Sequence, residues 1–301
     1  MTSPGDRLTS PGQIQYGGLL IGAGTPYRWR SLAGWETLPA LDSGTILRAG
    51  GHGAYPGALF AQSRTITLDP LLIRAPSATI GEAVRALNAA TGVIGDEQPL
   101  AVWLDERGPL LAHARILRRH IPVTTGYRQG VIMGAALQWE ATDPRRYGIQ
   151  EQEATAGLPQ PEDGLSWNTD PGPEHLAYPL VFGLPGSTGT LVTLNSGDAD
   201  AHPVIEFRGP VVRPSLTNID TGRMVEYDIT LAAEDRLTVA TGDGTVTLNG
   251  TASRLYTATP QSAPEELFTL APGSTPLTFR AAPGTGGPAA SVSVRYRAAY
   301  W

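Results

Sequence analysis

TGDGTVTLNGTASRL, residues 241–255, places a short run, Thr245 to Leu248, between two turn signals. Gly242-Asp243-Gly244 and Asn249-Gly250 are residue sets that accept the positive φ angles of tight hairpin turns. Between them Thr245 and Thr247 alternate with Val246 and Leu248, the period of a half-buried strand. The same pattern repeats outward in both directions, as YPLVFG, GTLVTLN, HPVIEFRG, MVEYDITL, RLTVAT, TVTLN, SRLYTA, PLTFRA and SVSVRYRAAYW. A succession of short strands without a helical period predicts an antiparallel β-sandwich of jelly-roll type over residues 180–301.

The first half of the chain mixes strands with one helix. Leu19–Ile21 and a run from Tyr27 read as strands around a turn at Gly22 to Pro26, and SRTITL alternates from Thr65 to Asp69. SATIGEAVRALNAATG has Ser77 or Thr79 as cap, Ile80, Val84, Leu87 and Thr91 on one face, and Gly92 as stop, so it predicts a helix lying on a sheet. Leu100–Leu104, Leu110–Arg118 and Gly130–Ala141 read as further strands. The expectation is a mainly β chain: a mobile arm over 1–13, an α+β domain over 14–148, a Pro- and Gly-rich linker over 149–179, and the sandwich.

Composition removes several function classes. The 301 residues contain no Cys, and all 22 basic residues are Arg, against 28 acids, for a net charge of -6. Thiolate metal sites, disulfides, lysine phosphate cradles and Schiff-base chemistry are therefore excluded. Excess acid predicts no general affinity for nucleic acid or for anionic membranes. MTSPGDRLTSPGQIQ lacks the apolar centre of a signal peptide and no stretch approaches a membrane span, so the expectation is synthesis in the cytoplasm without membrane insertion.

Motifs that resemble catalytic or ligand sites fail on their context. LRAGGHGAYPG, residues 47–57, is glycine-rich, but no helix period follows it, so it reads as an ordered turn and not as a phosphate loop. GAGTPY from Gly22 and GLPGSTGT, residues 183–190, lack the remainder of the dinucleotide and P-loop patterns. GDADAH sets Asp198, Asp200 and His202 at alternate positions, a spacing open to a divalent ion but more common in solvated loops. No catalytic, cofactor-binding or metal-ligating residue is predicted.

Several stretches nevertheless carry a resemblance that spans most of the chain. LIGAGTPYRWRSLAGWETLP, LRAGGHGAYPG, SRTITL and LQWEATDPRRYG resemble the N-terminal domain of siphovirus distal tail proteins of the kind found in actinobacterial phages. LNSGDADAHPVIEFRGPVVRPSLTNIDTGRMVEYDITLAAEDRLTV is similar to their C-terminal galectin-like sandwich. The resemblance implies a non-enzymatic virion protein at the tail tip, whose N-terminal domain closes a six-membered ring. Implied partners are further copies of itself, the tail tube protein, the tail-tip hub or tail-associated protein, and receptor-binding proteins. Under this reading the glycine-rich loop becomes a contact between copies, with Arg48, Gly51, His52, Gly53, Tyr55 and Pro56 as candidate interface residues. The competing expectation is a carbohydrate-binding adhesion module of a phage tail or contractile injection particle.

Overall fold

The computed structural model describes residues 3–160, 186–284, 286–287 and 289–301. It divides into two compact units, residues 1–149 with Ala299–Trp301, and Gln150–Ala298. The strands pair antiparallel throughout the named ladders, and the fold is mainly β with one α-helix among the described residues.

The first unit contains β1 (Gln13–Tyr16), β2 (Leu19–Ile21), β3 (Tyr27–Trp29), β4 (Arg64–Arg74), α1 (Ile80–Ala90), β5 (Gln98–Trp103), β6 (Pro109–His120), β7 (Val131–Ala141) and β8 (Arg146–Gly148). Their order in the sheet is β2-β1-β5-β6-β7-β4-β3, with β8 beside β6. Alternation along β4 buries Ile66, Leu68, Leu71 and Ile73, which pack with Ile14, Leu100, Leu137 and Trp139. Tyr16 meets Trp139 edge to face, with ring centroids 5.8 Å apart. The predicted helix forms, and Ile80, Ala83, Val84 and Leu87 are its buried stripe. Tyr27 fixes it to β3 by donating its hydroxyl to the Ala83 carbonyl at 2.7 Å.

Residues 3–12 do not project as a mobile arm. The buried Gln13 side chain accepts the amides of Thr9 at 2.7 Å and Ser10 at 3.1 Å. Gln15, also buried, accepts the Arg7 amide at 3.0 Å and donates to Asp6 at 2.8 Å. Two glutamines on β1 thus satisfy backbone groups that a free segment leaves to water.

The second unit contains β9 (Gln152–Gly157), β10 (Thr190–Asn195), β11 (Val204–Arg208), β12 (Ser215–Asn218), β13 (Met224–Glu226), β14 (Arg236–Ala240), β15 (Thr245–Leu248), β16 (Ala252–Ser253), β17 (Gly273–Arg280) and β18 (Ser291–Tyr296). One sheet runs β9-β18-β11-β14-β15-β16 and the other β10-β17-β12-β13. The inner faces meet through Phe207 and Phe279, whose centroids are 5.8 Å apart, and through Tyr227 at 6.3 Å from Phe207. Asn249 and Gly250 both adopt positive φ at the β15–β16 turn, as the opening stretch requires.

Two expectations need correction here. Gln152–Gly157, expected within a linker, is a strand paired with β18 along its whole length. The rest of that linker, 161–179, and the predicted strand YPLVFG, 178–183, lie outside the described residues. The final run is two strands and not one, because after β18 the pair Ala299–Tyr300 joins the first unit opposite Arg146 and Tyr147. Ala299, the first residue of that pair, is buried.

Candidate functional site

Between Ala40 and Gln62 the first unit extends a long hairpin, closed at its root by the Gln62 amide donating to the Ala40 carbonyl at 2.8 Å. Two short ladders form it, Leu41–Asp42 with Phe60–Ala61 and Ile46–Leu47 with Ala54–Tyr55. Gly57 lies where the two sides cross between the ladders. A side chain there would begin 2.5 Å from the carbonyl oxygens of both Ser43 and Gly44, so only glycine lets the chains approach. At the tip Gly53 has φ +92, and its carbonyl accepts the Arg48 amide at 3.2 Å.

The arm exposes what a fold ordinarily hides. Leu47 is 81% exposed, Ile46 69%, Phe60 68% and Tyr55 61%, with Leu38, Leu41 and Leu59 also exposed. Isolated apolar side chains on a surface are ordinary, but a run of this density on one projecting element marks an interaction site. The arm has almost no charge to keep it in water beyond Asp42 and Arg48. The Arg48 guanidinium covers one apolar face by lying 4.9 Å from the Tyr55 ring centroid.

Arg64 holds the root. It is 1% exposed, yet it opens β4, where the alternating sequence gives no sign that a cation is buried. Its Nη1 donates to the carbonyls of Gly34, Trp35 and Thr37 at 2.7–2.9 Å, and its Nε to that of Pro144 at 2.7 Å. One planar donor group thus ties the strand leaving the arm to the segment entering it and to a third loop. Burial, with nearby Arg146, lowers the Arg64 pKa to about 10, which leaves it charged at neutral pH. Outside it the buried Trp35 ring lies 5.8 Å from the Arg146 guanidinium, and Arg146 pairs with Glu36 at 2.7 Å.

Of the six residues proposed from sequence, the structure gathers Arg48, Gly53 and Tyr55 into one contact set. Gly51 and His52 form the exposed tip, and Pro56 leads into the Gly57 crossing. Sequence reading did not single out Leu38, Leu41, Ile46, Leu47, Leu59 and Phe60, all of which are exposed. The flanks LPALDSGTIL and GALFAQ carry these residues without the alternation that marks a half-buried strand.

Elsewhere the chemistry is that of structure. A groove of about 760 Å³ runs beside α1 and is lined by Leu20, Tyr27 and Ala83 with Arg7, Arg74 and Glu82. Its threonine hydroxyls are engaged on main-chain carbonyls, Thr25 on Gly22 at 2.8 Å and Thr79 on Pro76 at 3.3 Å. In GDADAH, Asp200 accepts from Thr269 at 3.1 Å and the His202 ring lies 3.1 Å from the Thr241 carbonyl. Among the described residues no three His, Asp or Glu side chains are grouped to hold a metal ion. No helix among them is long and apolar enough to cross a membrane.

Residues 196–300, from just after β10 through the final strand pair, match the family described as siphovirus-type tail component, C-terminal domain. These residues carry the signature of the C-terminal domain of a siphovirus-type tail component. The fold of the chain is that of a distal tail (Dit) protein. The crystal structure of SPP1 Dit, described as a paradigm of the hub adsorption apparatus in phages infecting Gram-positive hosts, superimposes with a TM-score of 0.65. That likeness covers 96% of this chain and 99% of SPP1 Dit at 12% identity. A chain of the phage P2 baseplate in its activated conformation is similar at a TM-score of 0.50 and 10% identity, over 94% of this chain and 96% of that one. The same values hold for that baseplate in the presence of strontium. No curated protein matches the chain. At such low identities the likeness speaks for the fold, and the tail assignment rests on the family match.

Proposed function

We propose that this protein is the hub ring at the distal end of a long phage tail, built from six copies through the first unit. It joins the tail tube to the tail-tip hub and to receptor-binding components, and it performs no catalysis. The single observation that carries the reading is the apolar arm. A ring needs a heterologous contact, in which a protruding patch on each copy meets a different patch on the next. Burying five large side chains such as Ile46, Leu47, Tyr55, Leu59 and Phe60 contributes on the order of 10 kcal/mol, which offsets an association cost of similar size. Arg48, Gly51, His52, Gly53, Tyr55 and Pro56 lie within that contact.

The test is the mass distribution of the purified full-length chain across a concentration series. A species of six subunits that disappears when residues 41–61 are replaced by a short Gly-Ser turn supports the reading. Monomers at every concentration overturn it. The carbohydrate-binding alternative draws no support from the outward face of the four-stranded sheet. Among the described residues Val192, Leu194, Pro276 and Ile219 there offer aliphatic surface and no aromatic ring on which a sugar stacks.

A further inference from the structure

Of the five asparagines in the sequence, Asn249 alone is followed by glycine. The pair makes the turn between β15 and β16, with Asn249 at φ +52 and Gly250 at φ +75. An asparagine in that position can react with its own backbone, because the glycine nitrogen has no neighbouring Cβ to hinder closure of a five-membered ring. Both residues are exposed, and a Cβ built at 250 would meet nothing within 4 Å. Among the described residues none accepts the Gly250 amide proton. The nucleophile is therefore open to solvent.

Its target is held away from it. The Asn249 side-chain nitrogen donates to Asp235 Oδ1 at 2.9 Å, and its side-chain oxygen accepts the Arg236 amide at 2.9 Å. The Asn249 backbone N–H also donates to the Arg236 carbonyl at 2.8 Å. Asp235 is anchored in turn, since its second oxygen accepts the Ala232 amide at 2.9 Å. The bonds from Asn249 and Ala232 hold the Asp235 carboxyl below the ordinary carboxylate range, so it is charged at neutral pH. For the Asn249 carboxamide to swing onto the Gly250 nitrogen, both of its side-chain bonds must break.

We propose that Asn249–Gly250 is a latent self-deamidation site, which Asp235 and Arg236 keep unreacted in the folded sandwich. When the turn opens, the Gly250 nitrogen gives its proton to solvent and attacks Asn249 Cγ. The N–Cγ bond forms, the Cγ–Nδ2 bond breaks, and Nδ2 takes a proton from solvent and leaves as ammonia. Water then opens the ring at either carbonyl and leaves aspartate or isoaspartate at 249. The new carboxylate of the aspartate stands where Nδ2 donated, facing the charged Asp235, and like charges at that separation repel. Isoaspartate instead lengthens the backbone inside a turn that accepts only a narrow set of dihedrals. Either product weakens the β15–β16 edge, and the conversion is one-way.

The absence of lysine simplifies the test. Trypsin cleaves only after arginine and releases residues 237–254 as one peptide with a single asparagine and no glutamine. The full-length chain is incubated at mildly alkaline pH, folded and in denaturant, and deamidation of that peptide is followed by mass spectrometry. We expect the folded chain to convert about tenfold to a hundredfold more slowly than the denatured chain. Asp235→Ala, which frees Nδ2, should raise the folded rate by at least about fivefold. Leu277→Val loosens the buried core from the opposite sheet and should leave the rate near that of the wild type. Equal rates in the folded and denatured chains overturn the restraint. Equal acceleration by both variants assigns conversion to general unfolding and removes Asp235 from its positioning role. No conversion at 249 in denaturant overturns the site itself.

Discussion

Arg64 and Trp35 are both buried, and the Arg64 guanidinium donates to the Trp35 carbonyl at 2.9 Å, which fixes the root of a hairpin whose far end is exposed. The arm has little to order it from within, since two ladders of two residue pairs each are marginal in water. Its direction is therefore set where it leaves the sheet, by a side chain that the apolar arm never touches. Arg64→Met strands the four carbonyls of Gly34, Trp35, Thr37 and Pro144 and is expected to destabilise the first unit by about 2–4 kcal/mol. Arg64→Lys keeps the charge but loses the planar fork, and should give an intermediate loss. Thermal unfolding followed in the tryptophan signal checks both.

Tyr55→Ala removes an exposed ring, so the monomer should unfold at an unchanged temperature while assembly weakens by about tenfold to a hundredfold, as for an aromatic anchor at an interface. Sedimentation or mass photometry against concentration measures it. Assembly as strong as wild type would place Tyr55 outside the contact.

Gly57→Ala and Gly51→Ala separate backbone crossing from mere flexibility. A methyl group at 57 meets two carbonyl oxygens at 2.5 Å, whereas at 51 it meets nothing within 4 Å. The first is expected to splay the ladders and abolish assembly, and the second to be tolerated. Amide exchange of residues 41–61 reports the splaying, and equal behaviour of the two variants contradicts the geometry.

In the sandwich, burial and the neighbouring Glu265 carboxylate raise the Tyr227 pKa above the ordinary tyrosine range of about 10. The phenol ionises more readily in the unfolded chain than in the fold. Its contribution to stability is therefore complete below about pH 10 and declines above it. Tyr227→Phe should remove that part of the alkaline transition and weaken the sandwich at neutral pH, because the hydroxyl no longer donates to Glu265 at 3.0 Å. Chemical denaturation at pH 8 and pH 11 checks the sign.

The sandwich strands are legible in the sequence because local chemistry and tertiary packing agree there. At 241–255 the turns demand Asn-Gly, the strand alternates, and the structure pairs Thr245–Leu248 with Arg236–Ala240 as the pattern implies. The helix is legible for the same reason, since Ile80, Val84 and Leu87 repeat at its period. Three features resist reading, each through a long-range cause. Arg64 looks like a surface residue because its carbonyl acceptors at 34–37 and 144 come together only in the fold. Ala299–Tyr300 follows a sandwich strand without a break, and only pairing with Arg146 and Tyr147 assigns it to the other unit. The arm has no amphipathic period because both of its faces are apolar, so the glycine turn at its tip was visible and the strands leading to it were not.

The most direct measurement of the central claim is the symmetry of the particle formed by the full-length chain. Class averages from electron microscopy should show closed six-fold rings that vanish when residues 41–61 are shortened. Monomers alone, or rings that persist without the arm, would contradict it.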